Sequence, residues 1–189
     1  LGRPTYTAVA GEDILIWGAQ TELGTFPTAY IPTTTVSVTR NADVLTYDDA
    51  GNIEDAAGTA YAEASTDWST SAVESRAVSR DSTGALLYLG ASQDATLIFS
   101  HDGTNTSSAP AGTSMEGAPQ SIASTWGTAL TAYINGDPDA TPASYDGGFG
   151  TGDIAVGCKN DGAKQWSGTI RRVKIFSNEK TDAEMLVLG

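Results

Sequence analysis

The chain has 189 residues, a formal net charge of −13, and ten lysines and arginines against 23 acidic residues. Binding to nucleic acid through phosphates depends on basic side chains, so this balance disfavours a nucleic-acid partner. A chain of this length fits one domain with an appendage and can bury roughly 70% of its unfolded surface. The single cysteine, Cys158, excludes an internal disulfide, and its apolar neighbours predict a small buried side chain.

Membrane and targeting signals are not visible in the sequence. No apolar run approaches the ~20 residues that a spanning helix needs. A basic start followed by an apolar run, which would mark a secretory leader, is also missing. Because the sequence begins at Leu1 and not at Met, we expect it to be part of a longer polypeptide.

The first 39 residues differ in character from the rest. Pro27 and Pro32 each remove an amide donor, so the segment around them is unsuited to a central strand. Residues 17–33, WGAQTELGTFPTAYIPT, resemble a recurring piece of phage tail and viral-fibre proteins. In those proteins the piece closes one carbohydrate-binding-like jelly roll and leads into the next domain. The resemblance implies that residues 1–39 are the end of a preceding module with a linker, and that residues 40–189 form the main domain.

Short strand patterns dominate the remaining sequence. The alternation of residues 35–39, together with residues 40–44 that follow it, predicts a linker and a first edge strand. Further strand patterns lie at 58–65, 74–80, 85–90, 95–100, 120–126, 130–134 and 154–157. In the first of these, alanines at every second position predict one close-packing apolar face. Strands at this spacing, without a helical period, predict an all-β fold of two antiparallel sheets packed as a sandwich.

The most informative stretch is the closing one, residues 166–186. Ile170 and Val173 are three positions apart, so strict alternation breaks and predicts a β-bulge at Arg171-Arg172. Thr181 and Glu184 then have the spacing of a capping box, which predicts a short helix.

This closing stretch resembles the last strand of laminin-G-like and concanavalin A-like jelly rolls, where a G-x-I-x-x-V-x-I-aromatic strand precedes a capped turn. Residues 125–136 resemble the aromatic-x-G … Y-x-N-G hairpin of the same family. The resemblance covers residues 40–189 and implies a concanavalin A-like jelly roll. The family carries acids where this chain has Arg171 and Arg172, which weakens any transfer of a ligand role to those positions.

Catalytic residue sets are sparse. His101 is the only histidine, no G-x-S-x-G motif is present, and a solvated turn is the expected place for this histidine. Glycoside hydrolysis needs two carboxylates about 5–10 Å apart. Glu63 lies on a predicted strand, but Asp67 falls four residues later in a loop. The sequence therefore favours binding over hydrolysis, with a split catalytic site left open.

Calcium prefers six to eight oxygen ligands, several of them carboxylates on turns. Turn formation is the ordinary role of Asp in Gly-rich loops. Laminin-G-like domains often hold calcium at a sandwich rim, so the resemblance implies one such site. The predicted ligands are Asp137, Asp139 and Asp153.

Sugar binding combines an aromatic face with amide and carboxylate groups. Trp126 and Trp166 occupy family positions that are normally core, and Trp17 is expected to be buried. Trp68 is flanked by polar residues, which favours an exposed platform, although loop tryptophans also fold back as lids. The predicted glycan-binding residues are Trp68, Tyr145, Asn105 and Asp146.

Three functions remain open on these patterns. The first is a non-catalytic glycan-binding module of a phage or viral surface fibre, which would bind a cell-surface glycan or polysaccharide at the virion surface or outside the cell. Such fibres are commonly homotrimers. The second is a purely structural module of a virion or surface assembly, because fold alone does not settle function. The third is a glycoside hydrolase or polysaccharide lyase.

Overall fold

The computed structural model describes residues 18–21, 30–39, 44–67, 74–82, 85–92, 97–110, 114–147 and 152–188. The chain divides into two compact units, residues 1–40 and residues 41–189. In the first unit, the amide of Ile31 donates to Gln20 Oε1 at 2.8 Å. Residues 40–43 lie outside the described residues, and residues 31–39 form no strand, so the edge strand predicted within 35–44 does not begin at 35–39. Their Thr and Val residues favour extended backbone, but a strand also needs a neighbour to pair with.

Two antiparallel sheets make up the second unit. The six-stranded sheet contains, in spatial order, β1 (Leu45–Tyr47), β10 (Ile154–Val156), β3 (Ser75–Ser82), β4 (Ala85–Ala91), β5 (Leu97–His101) and β6 (Thr106–Pro110). The five-stranded sheet contains β11 (Gly168–Phe176), β2 (Gly58–Thr66), β7 (Gln120–Trp126), β8 (Thr131–Ile134) and β9 (Asp137–Pro138). This arrangement confirms the predicted all-β sandwich. Among the described residues, no helix has the length and apolarity to cross a membrane.

The core lies between the two sheets, and the small side chains of β2 allow the sheets to pack closely. Ala60, Ala62 and Ala64 face inward and are almost fully buried, as their alternation predicts. Small side chains let the sheets approach closely, and Val78 and Leu89 of the opposite sheet fill the space.

Two tryptophans fix the ends of β2. Trp126 is 0% exposed and donates its indole N–H to the carbonyl of Glu54 at 2.8 Å. Trp166 donates to the carbonyl of Ser65 at 2.9 Å. The predicted packing role of both is confirmed, because each combines burial with a satisfied polar atom. Trp17 lies outside the described residues.

The predicted bulge is present in β11. Its pairing with β2 shifts between Arg171 and Lys174, and Arg172 has a positive φ of 54°. Ile170 and Val173, on either side of the two arginines, both pack against the core. One extra residue therefore lets the strand keep both apolar side chains inside.

The predicted capping box begins α1 (Asp182–Leu188). The amide of Thr181 donates to Glu184 Oε2 at 2.9 Å, and the amide of Glu184 donates to Thr181 Oγ1 at 3.4 Å. The hydrogen bond from the Thr181 backbone amide, together with one from the Lys180 side chain, lowers the pKa of Glu184 to about 2. Met185 buries itself against Tyr61 and Tyr133, so α1 covers part of the outer face of the five-stranded sheet.

Cys158 follows β10 and is 0% exposed, which confirms its predicted burial. Burial raises the pKa of its thiol. Ser79 Oγ on β3 donates to the Cys158 carbonyl at 2.8 Å, which ties this residue to the neighbouring strand.

Candidate functional site

The candidate site is built around the carboxylate of Asp102, which directly follows β5 and is 8% exposed. Its Oδ1 accepts the amides of Thr104 at 2.9 Å and Asn105 at 2.7 Å. Its Oδ2 accepts the Asn105 side-chain amide and the backbone amide of Asp146, both at 3.3 Å. One carboxylate therefore joins the turn between β5 and β6 to the loop that follows β9.

The charge state of Asp102 follows from these bonds. Burial alone would raise its pKa, but the bonds from Asn105, Thr104 and Asp146 outweigh burial and lower the pKa below its usual range. Asp102 is therefore ionised at neutral pH, and its four donors suit an anion. Its role is to fix the two loops.

The turn after β5 is closed locally. The amide of Asp102 donates to the carbonyl of Asn105 at 3.2 Å, and Gly103 adopts a positive φ of 101° that suits glycine. The amide of Gly103 donates to His101 Nδ1 at 2.7 Å. His101 is the last residue of β5 and is partly buried, so it helps to order the turn and is less solvated than the sequence predicts.

The second loop brings Tyr145 and Asp146 to the same place. Backbone bonds between Leu130 and Ala143, at 2.9 and 3.0 Å, hold the loop against the start of β8. Tyr145 is partly buried, packs against the core, and donates its hydroxyl to the carbonyl of Asp55. The side chain of Asp146 is exposed. The loop thus holds the Tyr145 ring against the core and leaves the adjacent Asp146 exposed to solvent.

Asp102 therefore brings Asn105 close to the backbone of Asp146, and Tyr145 is the residue before Asp146 in the same loop. We call the group formed by Asp102, Asn105, Tyr145 and Asp146 the Asp102 rim. Trp68 lies outside the described residues. Sequence reasoning missed Asp102 itself, although an Asp followed by Gly-Thr-Asn is a signal for a side chain that accepts the amides two and three residues on.

Asp139, one of the predicted calcium ligands, is 9% exposed and holds the two sheets together. Its Oδ2 accepts Ser107 Oγ at 2.8 Å and the amide of Ser108 at 2.9 Å, both from β6. Its Oδ1 accepts the amide of Thr141 at 3.0 Å. Burial opposes ionisation, but these bonds outweigh it, so the pKa of Asp139 lies below its usual range.

The other two predicted calcium ligands lie elsewhere. Asp137 is exposed on β9 of the five-stranded sheet, and Asp153 is exposed just before β10 of the six-stranded sheet. In the parts of the chain that the structure describes, no three His, Cys, Asp or Glu residues come together in a way that could hold a metal ion. The three predicted aspartates therefore do not form a metal-binding group with one another.

The sequence comparison gives a family match over most of the chain. Residues 39–185 match the family described as the concanavalin A-like lectin/glucanases superfamily. No curated protein sequence matches the chain.

Solved structures share the fold at low identity. The CBM40 of the Ruminococcus gnavus IT-sialidase, bound to α2,3-sialyllactose, has a TM-score of 0.60 at 14% identity, covering 79% of this chain and 95% of that one. Domain 4 of AbnA, a GH43 extracellular arabinanase from Geobacillus stearothermophilus in complex with arabinotriose, has a TM-score of 0.58 at 14% identity, covering 76% and 70%. A Trypanosoma rangeli sialidase has a TM-score of 0.56 at 17% identity, covering 71% of this chain. The match spans only 22% of that sialidase's length.

Proposed function

Because the chain belongs to the concanavalin A-like lectin/glucanases superfamily, we propose that it is a non-catalytic glycan-binding module whose ligand sits on the Asp102 rim. One observation carries this proposal: the Asp102 carboxylate locks two loops together through four donors. The backbone of those loops and the Asn105 side chain are therefore ordered before a ligand arrives, which lowers the entropy cost of binding.

The chemistry of the rim suits a sugar. A pyranose ring offers one apolar face and a ring of hydroxyl groups, so it needs an aromatic surface beside donors and acceptors. Tyr145 supplies the aromatic ring, Asn105 an amide, and Asp146 an exposed carboxylate. Trp68 is proposed as the second aromatic surface.

The structural neighbours support a glycan ligand in general terms. Two of them are domains whose structures hold sialyllactose and arabinotriose. At 14% identity this likeness concerns the fold, so the choice of ligand and of residues rests on the rim itself.

A binding role agrees better than hydrolysis with the charge states of the acids. A general acid needs a raised pKa, whereas the pKa of Asp102 is lowered. The carboxylate of Glu63 faces two arginines, at 2.7 and 3.4 Å. Asp102 therefore does not resemble the protonated partner of a glycosidase pair, and Glu63 is already bonded to two cations.

We further propose that this module belongs to a phage or viral surface fibre and works as a homotrimer at the virion surface or outside the cell. The resemblance of residues 17–33 to tail and fibre proteins is what supports this setting. The predicted calcium is part of the same proposal and would use ligands other than the Asp137, Asp139 and Asp153 trio.

The test is a glycan array probed with the whole chain, with calcium and with a chelator. We expect binding to at least one glycan, and loss of it in Asn105→Ala and Trp68→Ala. Asn178→Ala, which removes an exposed amide beside α1, is the matched control and should bind normally. Binding to no glycan under either condition would overturn the proposal, as would release of reducing sugar from the bound glycan.

A further inference from the structure

A second surface of the molecule is organised by the bulge in β11. In a regular strand, successive side chains point to opposite faces of the sheet. The shift in pairing between Arg171 and Lys174 cancels this alternation, so both arginines reach the same carboxylate. Arg172 Nη1 lies 2.7 Å from Glu63 Oε1, and Arg171 Nε lies 3.4 Å from Glu63 Oε2. Two adjacent guanidinium groups therefore stand side by side on the outer face of the five-stranded sheet.

The backbone of Arg172 indicates that this arrangement has a use. Its φ of +54° lies in the left-handed region, which glycine adopts without strain and arginine does not. Bulges of this kind often carry glycine at the left-handed position. An arginine in this conformation points to a function of its side chain, because strained residues gather at functional sites.

A third cation lies beside the two arginines. Lys174 is the next outward residue after the arginines, and its ammonium lies 5.5 Å from the centre of the Tyr61 ring. Two arginines thus share the Glu63 carboxylate and Lys174 lies on the same face, in a chain that has only ten lysines and arginines. The side chains of Arg171 and Arg172 are 54% and 68% exposed. An exposed ion pair adds little stability, so stabilisation alone does not explain two arginines on one acid.

Strand β7 flanks these cations on one side, and α1, whose first turn carries Asp182 and Glu184, lies on the other. Across from Glu63 on β7 lies Ser121, whose carbonyl accepts the amide of the exposed Asn135 at 2.8 Å. On the other side, α1 rises above the sheet over Tyr61. The carboxylates of α1 already have partners, because Asp182 accepts the Tyr133 hydroxyl and Glu184 accepts the Lys180 ammonium.

We propose that Arg171, Arg172 and Lys174, here called the basic strip, bind the anionic group of an acidic polysaccharide, either a carboxylate or a sulfate. Guanidinium forks match the planar pair of oxygens on such groups. The net charge of −13 opposes long-range attraction of any polyanion, so binding would depend on the local contacts of the strip. This inference goes beyond the Asp102 rim, because the strip lies on the five-stranded sheet and the rim follows a strand of the other sheet.

The test is affinity electrophoresis of the whole chain in gels that contain polygalacturonate, chondroitin sulfate or neutral dextran. We expect retardation by an acidic polymer, weakening as salt is added, since exposed charges are screened. The double variant Arg171→Gln/Arg172→Gln should lose at least tenfold in affinity. The matched double variant Lys159→Gln/Lys164→Gln removes the same charge elsewhere and should be retarded like the unaltered chain.

A second variant separates binding from folding. Arg172→Gly relieves the left-handed strain, so its Tm should stay level or rise while affinity for the acidic polymer falls. Unchanged retardation of the Arg171→Gln/Arg172→Gln variant would overturn the proposal, and so would an equal loss in the lysine control. Equal binding to single-stranded DNA would also overturn it, because the strip would then be a general anion site.

The same gels distinguish this inference from the proposed function. Asn105→Ala alters the rim and leaves the strip intact, so retardation by the acidic polymer should persist in that variant. Loss of retardation in Asn105→Ala would place the acidic polymer on the rim and overturn the proposal of a basic strip. Persistent retardation, together with no binding to neutral sugars on the glycan array, would overturn only the rim proposal.

Discussion

Asp139 and Asp102 each accept several hydrogen bonds within the same sandwich, yet they support different regions. The partners of Asp139 lie on β6 and just beyond β9, so its carboxylate joins the two sheets. The partners of Asp102 belong to two loops, so its carboxylate orders the Asn105 side chain and the backbone that carries the exposed Asp146. The comparison teaches that the location of the donors, and not the residue type, decides whether a buried carboxylate serves the fold or a surface.

Acidification should have the largest effect because it acts on both carboxylates at once. Their pKa values are lowered in the folded state, so each stabilises the fold above the unfolded pKa of about 4. That stabilisation is lost as the pH falls through the lower folded values. We expect urea unfolding midpoints to be level from pH 7 to about 5 and to drop steeply below about 4. An unfolding midpoint that stays level down to pH 2 would show that the ionised Asp102 and Asp139 carboxylates do not stabilise the fold.

Asp139→Ala should be the most damaging of the single substitutions. It leaves Ser107 and the Ser108 amide without their buried acceptor, which we expect to lower the free energy of unfolding by about 3 kcal/mol. The control is Asp137→Ala, an exposed aspartate two residues earlier, which should change it by no more than about 0.5 kcal/mol. Equal losses in both variants, measured by urea titration, would show that Asp139 does not join the sheets.

Asp102→Ala should cost less stability and more binding. Its partners are amides near solvent that water can satisfy, so we expect a loss of about 1–2 kcal/mol. Glycan affinity at the rim should fall at least tenfold, because the two loops are no longer joined. Isothermal titration with an array-selected glycan measures this. Full affinity in Asp102→Ala would show that the rim is not preorganised by this residue.

Thr181→Ala should have the smallest effect of the four. It removes the cap of α1, which has about 0.5–1 kcal/mol to lose. The carboxylate of Glu184 is exposed on the surface, unlike those of Asp139 and Asp102. Thr169→Ala, an exposed strand threonine, is the control for the loss of a surface hydroxyl. If Thr181→Ala lowered the Tm as much as Asp139→Ala, hydrogen bonds to a surface carboxylate would stabilise the fold as much as those to a buried one, which would contradict this prediction.

Much of the fold could be predicted because local patterns agreed with tertiary packing. The alanine alternation of β2, the broken alternation at Arg171-Arg172 and the Thr181/Glu184 spacing each encode one geometry. Strand β6 was missed because its sequence, TSSAP, is polar and ends in proline. Its partner strand β5 and the buried acceptor Asp139 supply what its own side chains do not.

The site was less predictable for a related reason. Asn105, Tyr145 and Asp146 could be predicted from their residue types. The contact between their two loops, however, depends on a hydrogen bond from the backbone amide of Asp146 to the carboxylate of Asp102, 44 positions earlier. Asp139 shows the opposite problem. In sequence it looks like a loop aspartate that is free to bind calcium, and only the fold shows that its oxygens already have donors.

The concealed sulfur of Cys158 gives this protein a built-in reporter. Since it is the chain's sole thiol and is sealed beside β10 and β3, a thiol reagent can modify the folded molecule only when that layer opens. The labelling rate in native buffer would then time the opening of the six-stranded sheet without any engineered dye site.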